Sequence, residues 1–457
     1  MKKMTFLFLF FLSKNILAQG EKKELSLQDA CNYAMEYNKK IKNARDNIYL
    51  SELMKKETCA KGLPQIKGVL DFTSYFDYEL KFDFGSDRKK PSLNPSVIDA
   101  GDLEILKMIE GMFSSTGEPV VMENQSNAKV QLEQLIFSGQ YWVSLEIAEL
   151  AKDLSKKELI KTELEIKESV SNTYYLILIT EHSLKIIKDN IINITSIYEH
   201  TSNMYSAGLA EKTDVEQLSI NLSQLRNAES SMERNIIMAY DMLKFQLGLD
   251  PNNEIVLTQN LDDILRDNDF GMSLLKEFDV DQNVDYRIIS RHVDITKKKV
   301  DIQKWAYSPV LVGFYSYTEK IKSTGLDMTP NHVAGLNLSI PLFSSGDRQS
   351  KLNQRRIELN IAERNKSMVK DQLYLQEHNL KFNLNTAFEN YKTQKANVEV
   401  AKNVYKSFEN KYKQGILSSL DLTQAHGNYL KAESSYTTSV LELLQAKLKL
   451  DVLNSGL

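Results

Sequence analysis

Two cysteines in 457 residues, Cys31 and Cys59, exclude a disulfide-stapled scaffold and a thiolate metal centre. Both fall in one predicted helix, about Leu27 to Lys61, roughly 42 Å apart along its axis and beyond disulfide reach. They read as buried small residues. The six histidines are scattered singly, without metal-ligand spacing. A nucleophile elbow, a P-loop and a dinucleotide-binding glycine pattern are all missing, so neither a cofactor nor an enzyme activity is expected. The net charge of −4 sits on a chain that is 26% charged, a balance that gives nucleic acid no basic surface. Past the N-terminus no stretch offers eighteen consecutive apolar residues, so no transmembrane helix is expected in the mature chain. The N-terminus itself, Met1-Lys2-Lys3 followed by an apolar run from Met4 to Leu12 and then Ile16-Leu17-Ala18, reads as a signal peptide over residues 1–18.

Proline is also scarce. Its eight occurrences, at 64, 91, 95, 119, 251, 309, 330 and 341, leave 120–250 and 342–457 without any. Within those blocks Gly139 to Gly208 and Gly346 to Gly415 run the same distance with no internal glycine. A helix interior loses about 3 kcal/mol to proline and about 1 to glycine, so their exclusion over such lengths predicts continuous helices. Each would extend about 100 Å at 1.5 Å per residue. A shift of 207 positions superposes Gly139 on Gly346, Tyr205 on Tyr412, Gly208 on Gly415, Asp214 on Asp421, Gln217 on Gln424 and Asn221 on Asn428. The chain is therefore an internal duplication.

After Pro64 the apolar period changes to two. Ile66, Gly68, Leu70, Phe72, Ser74, Phe76, Tyr78, Leu80, Phe82 and Phe84 alternate with a mostly charged set from Lys67 to Asp83. Ala128, Val130 and Leu132 alternate with Lys129, Gln131 and Glu133, and Leu336, Leu338, Ile340 and Leu342 with Asn337 and Ser339. Such alternation suits strands with one face in lipid. The predicted organisation is a first repeat over 19–249 (strands about 66–84 and 127–137, long helix 139–207), a linker over 250–283, and a second repeat over 284–457 (strands about 310–322 and 331–343, long helix 346–414). Each repeat is a helix, a β-hairpin, a long helix and a return helix. Four strands cannot close a barrel, and open edges are not viable in lipid. Copies of the chain must pool their strands, and a dimer or a trimer satisfies that requirement.

Over essentially the whole mature chain the sequence resembles the TolC-like outer-membrane efflux proteins. The resemblance rests on the duplicated layout and on four short motifs. Two mark the passage from strand to long helix, Leu135-Ile136-Phe137-Ser138-Gly139 and Pro341-Leu342-Phe343-Ser344-Ser345-Gly346. Two mark the helix reversals, Tyr205-Ser206-Ala207-Gly208-Leu209 and Tyr412-Lys413-Gln414-Gly415-Ile416. It implies a mainly α protein with a membrane β-barrel: a homotrimer whose twelve-stranded barrel in the outer membrane continues into a long periplasmic α-helical barrel. It implies as partners a periplasmic adaptor and an inner-membrane transporter, in drug efflux or type I secretion. The protein would be a passive exit duct.

The same resemblance assigns site residues. Gly208 with Leu209 and Gly415 with Ile416 fall at the helix tips, where the adaptor docks; as helix C-cap glycines they also have a purely structural use. Asp421 maps onto a constricting carboxylate ring, with Asp214 its counterpart in the first repeat, and three copies of one carboxylate around a pore attract cations. The second ring position carries Gln424 and the tip arginine position carries Leu417, so closure by packing is expected, with Tyr412 the hydrogen-bonding tyrosine of the gate. Helix capping is the competing role, through Ser418 with Asp421 and Thr213 with Glu216. The insertion from about Gly85 to Gln125, with a short helix over 102–113, is expected outside the cell, and Trp142 and Trp305 in core packing. A secreted coiled-coil scaffold is the alternative function; it accounts for the long helices but not for two alternating hairpins at matching places.

Overall fold

A computed structural model describes residues 23–76, 79–80, 120–121, 124–322 and 330–454. The signal peptide, most of the 85–125 insertion with its 102–113 helix, and the ends of the hairpins lie outside those residues. The chain divides into two compact units. One contains residues up to Leu53, Ala148–Lys297 and Arg356 onward, and the other contains Met54–Ile147 and Lys298–Arg355.

The first unit is helical. Its elements are the short strand β1 (Lys23–Leu25), helix α1 (Leu27–Tyr37), most of α2 (Lys39–Ala60), the greater part of α3 (Gly139–Ser206), α4 (Lys212–Leu247), β6 (Ile255–Leu257), α5 (Leu261–Asp267), α6 (Phe270–Leu275), most of α7 (Val284–Trp305) and of α8 (Asp347–Lys413), and α9 (Ser419–Leu453). The core gathers Ala30, Ala34 and Ile41 with Tyr174, Ile177, Leu243, Leu247, Leu384, Val440 and Leu444. Near it β1 pairs in parallel with β6. The Tyr174 hydroxyl donates to Leu25 O at 3.2 Å and Leu27 N to Gln259 Oε1 at 2.8 Å. The 250–283 linker is thus sewn to the start of the described chain.

The single helix expected over 27–61 is two helices. Asn38 leaves helical geometry at φ −60°, ψ 131°. Its buried amide donates to Gln246 O at 2.6 Å and its Oδ1 accepts from Lys40 N at 2.7 Å, so the break satisfies the last turn of α4 as it starts α2. The two cysteines accordingly sit in different helices, Cys31 buried and Cys59 half-buried.

Across the helical unit α2 packs on α3 through Ser51 and Ser155, 2.8 Å apart. Helix α3 is paired with α7 through Lys161 and Asp285 at 2.7 Å and through Asp153 and Arg291. Helix α7 meets α8 where Lys366 lies 5.0 Å from the Tyr286 ring. The neighbour order is α2–α3–α7–α8.

The second unit contains an antiparallel sheet in the order β2 (Gln65–Thr73), β5 (Gln125–Phe137), β7 (Val310–Lys322), β8 (His332–Ser339). Its register sets Leu132 opposite both Ile66 and Tyr315, Val130 opposite Gly68 and Tyr317, and Gly313 opposite Leu336. Because side chains alternate faces, Ile66, Leu70, Phe72, Val130, Leu132, Tyr315, Leu336 and Leu338 share one face. Lys67, Asp71, Lys129, Gln131, Glu133, Thr318, Lys320 and Asn337 share the other, where Lys67 and Glu133 pair at 2.9 Å. The apolar face is bare: Leu70 is 82% and Leu336 70% exposed. Among the described residues β2 and β8 each have one free edge, and no helix is long and apolar enough to cross a membrane.

Where the sequence pattern predicts one strand over 66–84, β2 ends at Thr73 and Phe76 takes a left-handed φ of 51°, which turns the backbone out of the extended region. Beyond it β3 (Glu79–Leu80) pairs with β4 (Val120–Val121). Strand β8 stops short of Pro341, which has no N–H to offer a ladder. The two tryptophans are not core residues: Trp142 is 58% exposed, and Trp305 lays its ring over Gly139.

Candidate functional site

The two helix reversals have the same backbone. Helix α3 ends with Gly208 N donating to Tyr205 O at 2.9 Å and Leu209 N to Met204 O at 2.7 Å. Helix α8 ends with Gly415 N on Tyr412 O at 2.9 Å and Ile416 N on Lys411 O at 3.0 Å. Gly208 and Gly415 have φ of 75° and 72°, a left-handed conformation that a β-carbon opposes. These are Schellman-type ends, and they throw the following residue outward: Leu209 is 72% and Ile416 69% exposed.

The helices that leave the turns are capped differently. At α9, Ser418 Oγ accepts from Asp421 N at 3.2 Å and donates to Asp421 Oδ2 at 2.6 Å, the expected pairing. At α4 the expected Thr213–Glu216 box is not formed. Glu211 caps instead with Asp214, Glu211 N donating to Asp214 Oδ2 at 3.3 Å, while Glu216 is drawn to Lys212 at 3.1 Å.

The equivalent carboxylates therefore have unequal surroundings. Asp214 also accepts the Ser419 hydroxyl, which clasps the start of α4 to the start of α9. Seven residues further along α4, Asn221 Nδ2 donates to Thr423 Oγ1 of α9 at 3.4 Å. Asp421 is exposed, and among the described residues its hydrogen bonds are those of its cap. Gln424, also exposed, reaches Asn428 on its own helix at 3.3 Å.

Tyr412 is buried, and its hydroxyl lies 2.6 Å from Thr201 Oγ1. Thr201 gives its own proton to Ile197 O at 2.8 Å, so Tyr412 is the donor and α8 is fastened to α3. Tyr412 belongs to an apolar cluster with Ile194, Ile197, Leu218, Leu222, Tyr405 and Leu422, on which Leu417 packs. Leu417 is thus a contributor to packing. The sequence reading missed Thr201, and it missed a polar pair in the same bundle, His426 and Asn190. The spacing of Leu422, Ala425, His426 and Tyr429 along α9 places position 426 on the inward stripe, a signal that was available.

A sheet with one bare apolar face, long paired helices and two matched reversals is the arrangement of a known family. The family model described as outer membrane efflux protein matches residues 113–249 and 292–454. The chain belongs to that family. Comparison with curated proteins finds no match. Solved structures of similar fold include VceC from Vibrio cholerae (TM-score 0.70, 15% identity, covering 94% of this chain and 96% of that one). CmeC, an outer-membrane channel of Campylobacter jejuni, is similar at TM-score 0.69 and 16% identity over 94% of this chain and 85% of its own. CusC is similar at TM-score 0.73 and 12% identity, over 94% and 92%. As an outer membrane efflux protein, this chain is an exit duct of the outer membrane, in a family of channels.

Proposed function

We propose that the efflux protein works as a homotrimer: three four-stranded sheets close a twelve-stranded barrel in the outer membrane, and the helices form a periplasmic tunnel. The observation that carries this reading is the four-stranded sheet itself, apolar and exposed on one face and unpaired at β2 and β8 among the described residues. Since β2 and β8 run antiparallel to each other, the β8 edge of one copy suits the β2 edge of the next. The helical layer has the same order, α2–α3–α7–α8, so each copy offers α8 beside the neighbour's α2. Exposed Ile361, Met368, Leu375 and Phe382 on α8 recur every seven residues, and Tyr49, Leu50 and Leu53 are exposed on α2, a seam of coiled-coil character.

In this reading the exposed turns at Gly208–Leu209 and Gly415–Ile416 receive a periplasmic adaptor, which links the duct to an inner-membrane transporter. Asp421 faces the constriction, and the Tyr412–Thr201 and Asp214–Ser419 contacts keep the tip closed. Conduction is passive and is driven by the transporter. The test is membrane fractionation followed by planar-bilayer recording of the detergent-purified oligomer. Outer-membrane recovery with small, gated, cation-selective currents is expected. A soluble, non-conducting protein would overturn the reading in favour of a coiled-coil scaffold.

A further inference from the structure

Among the buried titratable side chains of the helical unit, one histidine has no part in the clasps described above. His426 of α9 is 3% exposed. Its Nε2 lies 2.9 Å from Oδ1 of Asn190 on α3, itself 3% exposed. Asn190 Nδ2 donates to Ile186 O at 2.7 Å, which fixes Oδ1 as the acceptor and Nε2 as the protonated nitrogen. The imidazole packs on Tyr405 of α8, ring centres 5.1 Å apart, and Tyr405 stacks in turn on Tyr429 at 5.7 Å. The Tyr405 hydroxyl is buried and has no hydrogen-bond partner among the described residues. Three helices thus meet on one neutral imidazole.

The ionisable groups around it are few. On α8 they are Tyr405 and Glu409, and Glu409 is already paired with Lys413 at 2.6 Å. On α3 there is Asp189, exposed beside Asn190. On α9 there are Tyr429 and Glu433. Among the described residues no carboxylate is hydrogen-bonded to the ring, so a second proton would put a buried charge beside Tyr405 with only the distant field of Glu409 to offset it. Burial accordingly pulls the His426 pKa down to about 4, with Glu409 opposing.

We propose that His426 is an acid-responsive latch of the tip, its protonation loosening α9 from α3 and α8 and so favouring the open duct. The inference rests on the channel reading, with Tyr412 as part of the gate. The coupling is physical: Tyr405 and Tyr412 are two turns apart on α8 and lie in the same apolar cluster. Asn190 and Thr201, which receive His426 and Tyr412, are three turns apart on α3. A shift of α9 at His426 acts on both.

The sign follows from linkage. A histidine whose pKa is lower in the packed state stabilises that state fully above the ordinary value of 6.5. The contribution falls as pH drops from there and is gone below about 4. Between pH 7.5 and 5 the opening equilibrium should rise about 30-fold from this group alone. The experiment is open probability against pH at the tip side of the purified oligomer in planar bilayers, for wild type, His426→Gln and Asn190→Asp. His426→Gln keeps an N–H for Asn190 and cannot take a proton, so most of the rise should vanish. Asn190→Asp supplies a carboxylate to hold the imidazolium closed, so acid should no longer open the pore.

Superimposable pH curves for wild type and His426→Gln overturn the latch while leaving the channel intact. A wild type that conducts at no pH overturns the channel reading and the latch with it. Hydrogen exchange on wild type gives a check independent of any variant. After correction for intrinsic rates, protection of residues 419–430 should fall between pH 7.5 and 5, and constant protection counts against the latch.

Discussion

Trp305 covers Gly139 so closely that a β-carbon built at position 139 would lie 2.0 Å from Cε3 of the indole. Gly346, its counterpart in the second repeat, has open space around it and a φ of 81°. The same residue type is needed at the two junctions for different reasons, ring contact in one and backbone hand in the other. Gly139→Ala should therefore destabilise by about 1–3 kcal/mol through overpacking. Gly346→Ala should cost about 1–2 kcal/mol through the left-handed backbone. Combining Gly139→Ala with Trp305→Ala should recover part of the first loss and none of the second, read from thermal unfolding of the purified oligomer.

The face assignment of the sheet predicts a contrast between neighbours in sequence. Leu336→Lys puts a charge on the bare apolar face and should cost about 2–4 kcal/mol near the bilayer midplane, lowering recovery in the outer membrane. Asn337→Lys, one residue on, points to the polar face and should leave recovery near wild type. Equal recovery for the two would invert or abolish the assignment.

Removing the Tyr412 hydroxyl should loosen the tip without emptying its core. Tyr412→Phe loses a bond worth about 1 kcal/mol, and open probability in bilayers should rise roughly fivefold. An unchanged value would mean that the contact with Thr201 does not bear on closure.

Charge and cap can be separated at the start of α9. Asp421→Asn leaves the backbone bond from position 421 to Ser418 Oγ in place but removes the carboxylate, so cation preference and block by multivalent cations should weaken. Ser418→Ala removes the cap, at about 1 kcal/mol, and should leave selectivity alone. Ion selectivity that follows Ser418 rather than Asp421 would take Asp421 out of the pore.

Docking at the turns is best tested beside the glycines. A charged side chain at Gly208 or Gly415 combines electrostatics with strain, because both have positive φ. Leu209→Glu and Ile416→Glu change only the exposed apolar knob. Export should be lost while the oligomer and its conductance persist, and normal export by the double variant would rule out these residues as the docking surface.

The long helices could be read from what they avoid, since proline and glycine are the residues a helix interior least tolerates. The sheet could be read from its alternation, which the cross-strand register turns into two faces of opposite character. What escaped sequence reading depends on partners distant in the chain. Asn38 is an unremarkable residue for a helix until Gln246, 208 positions on, presents its carbonyl. His426 is one of six scattered histidines until Asn190, 236 positions away, accepts its N–H. The cap of α4 differs from expectation for a local reason: two carboxylates lie near one helix start, and Asp214 takes the cap while Glu216 pairs with Lys212. The stop at Phe76 was hidden because a strand-forming aromatic occupies the position where the backbone turns.

The bare edges of β2 and β8 have a consequence for how stability itself is defined. In the proposed trimer every hydrogen bond that closes the ring would be made with another molecule, so the free energy of the barrel would depend on protomer concentration. Its unfolding midpoint should climb as the protein is concentrated in detergent. A newly exported chain that has not yet joined the proposed ring would carry two ready templates for strand addition. On that reading, the interval between arrival and ring closure would be when the protein is most exposed to aggregation and proteolysis.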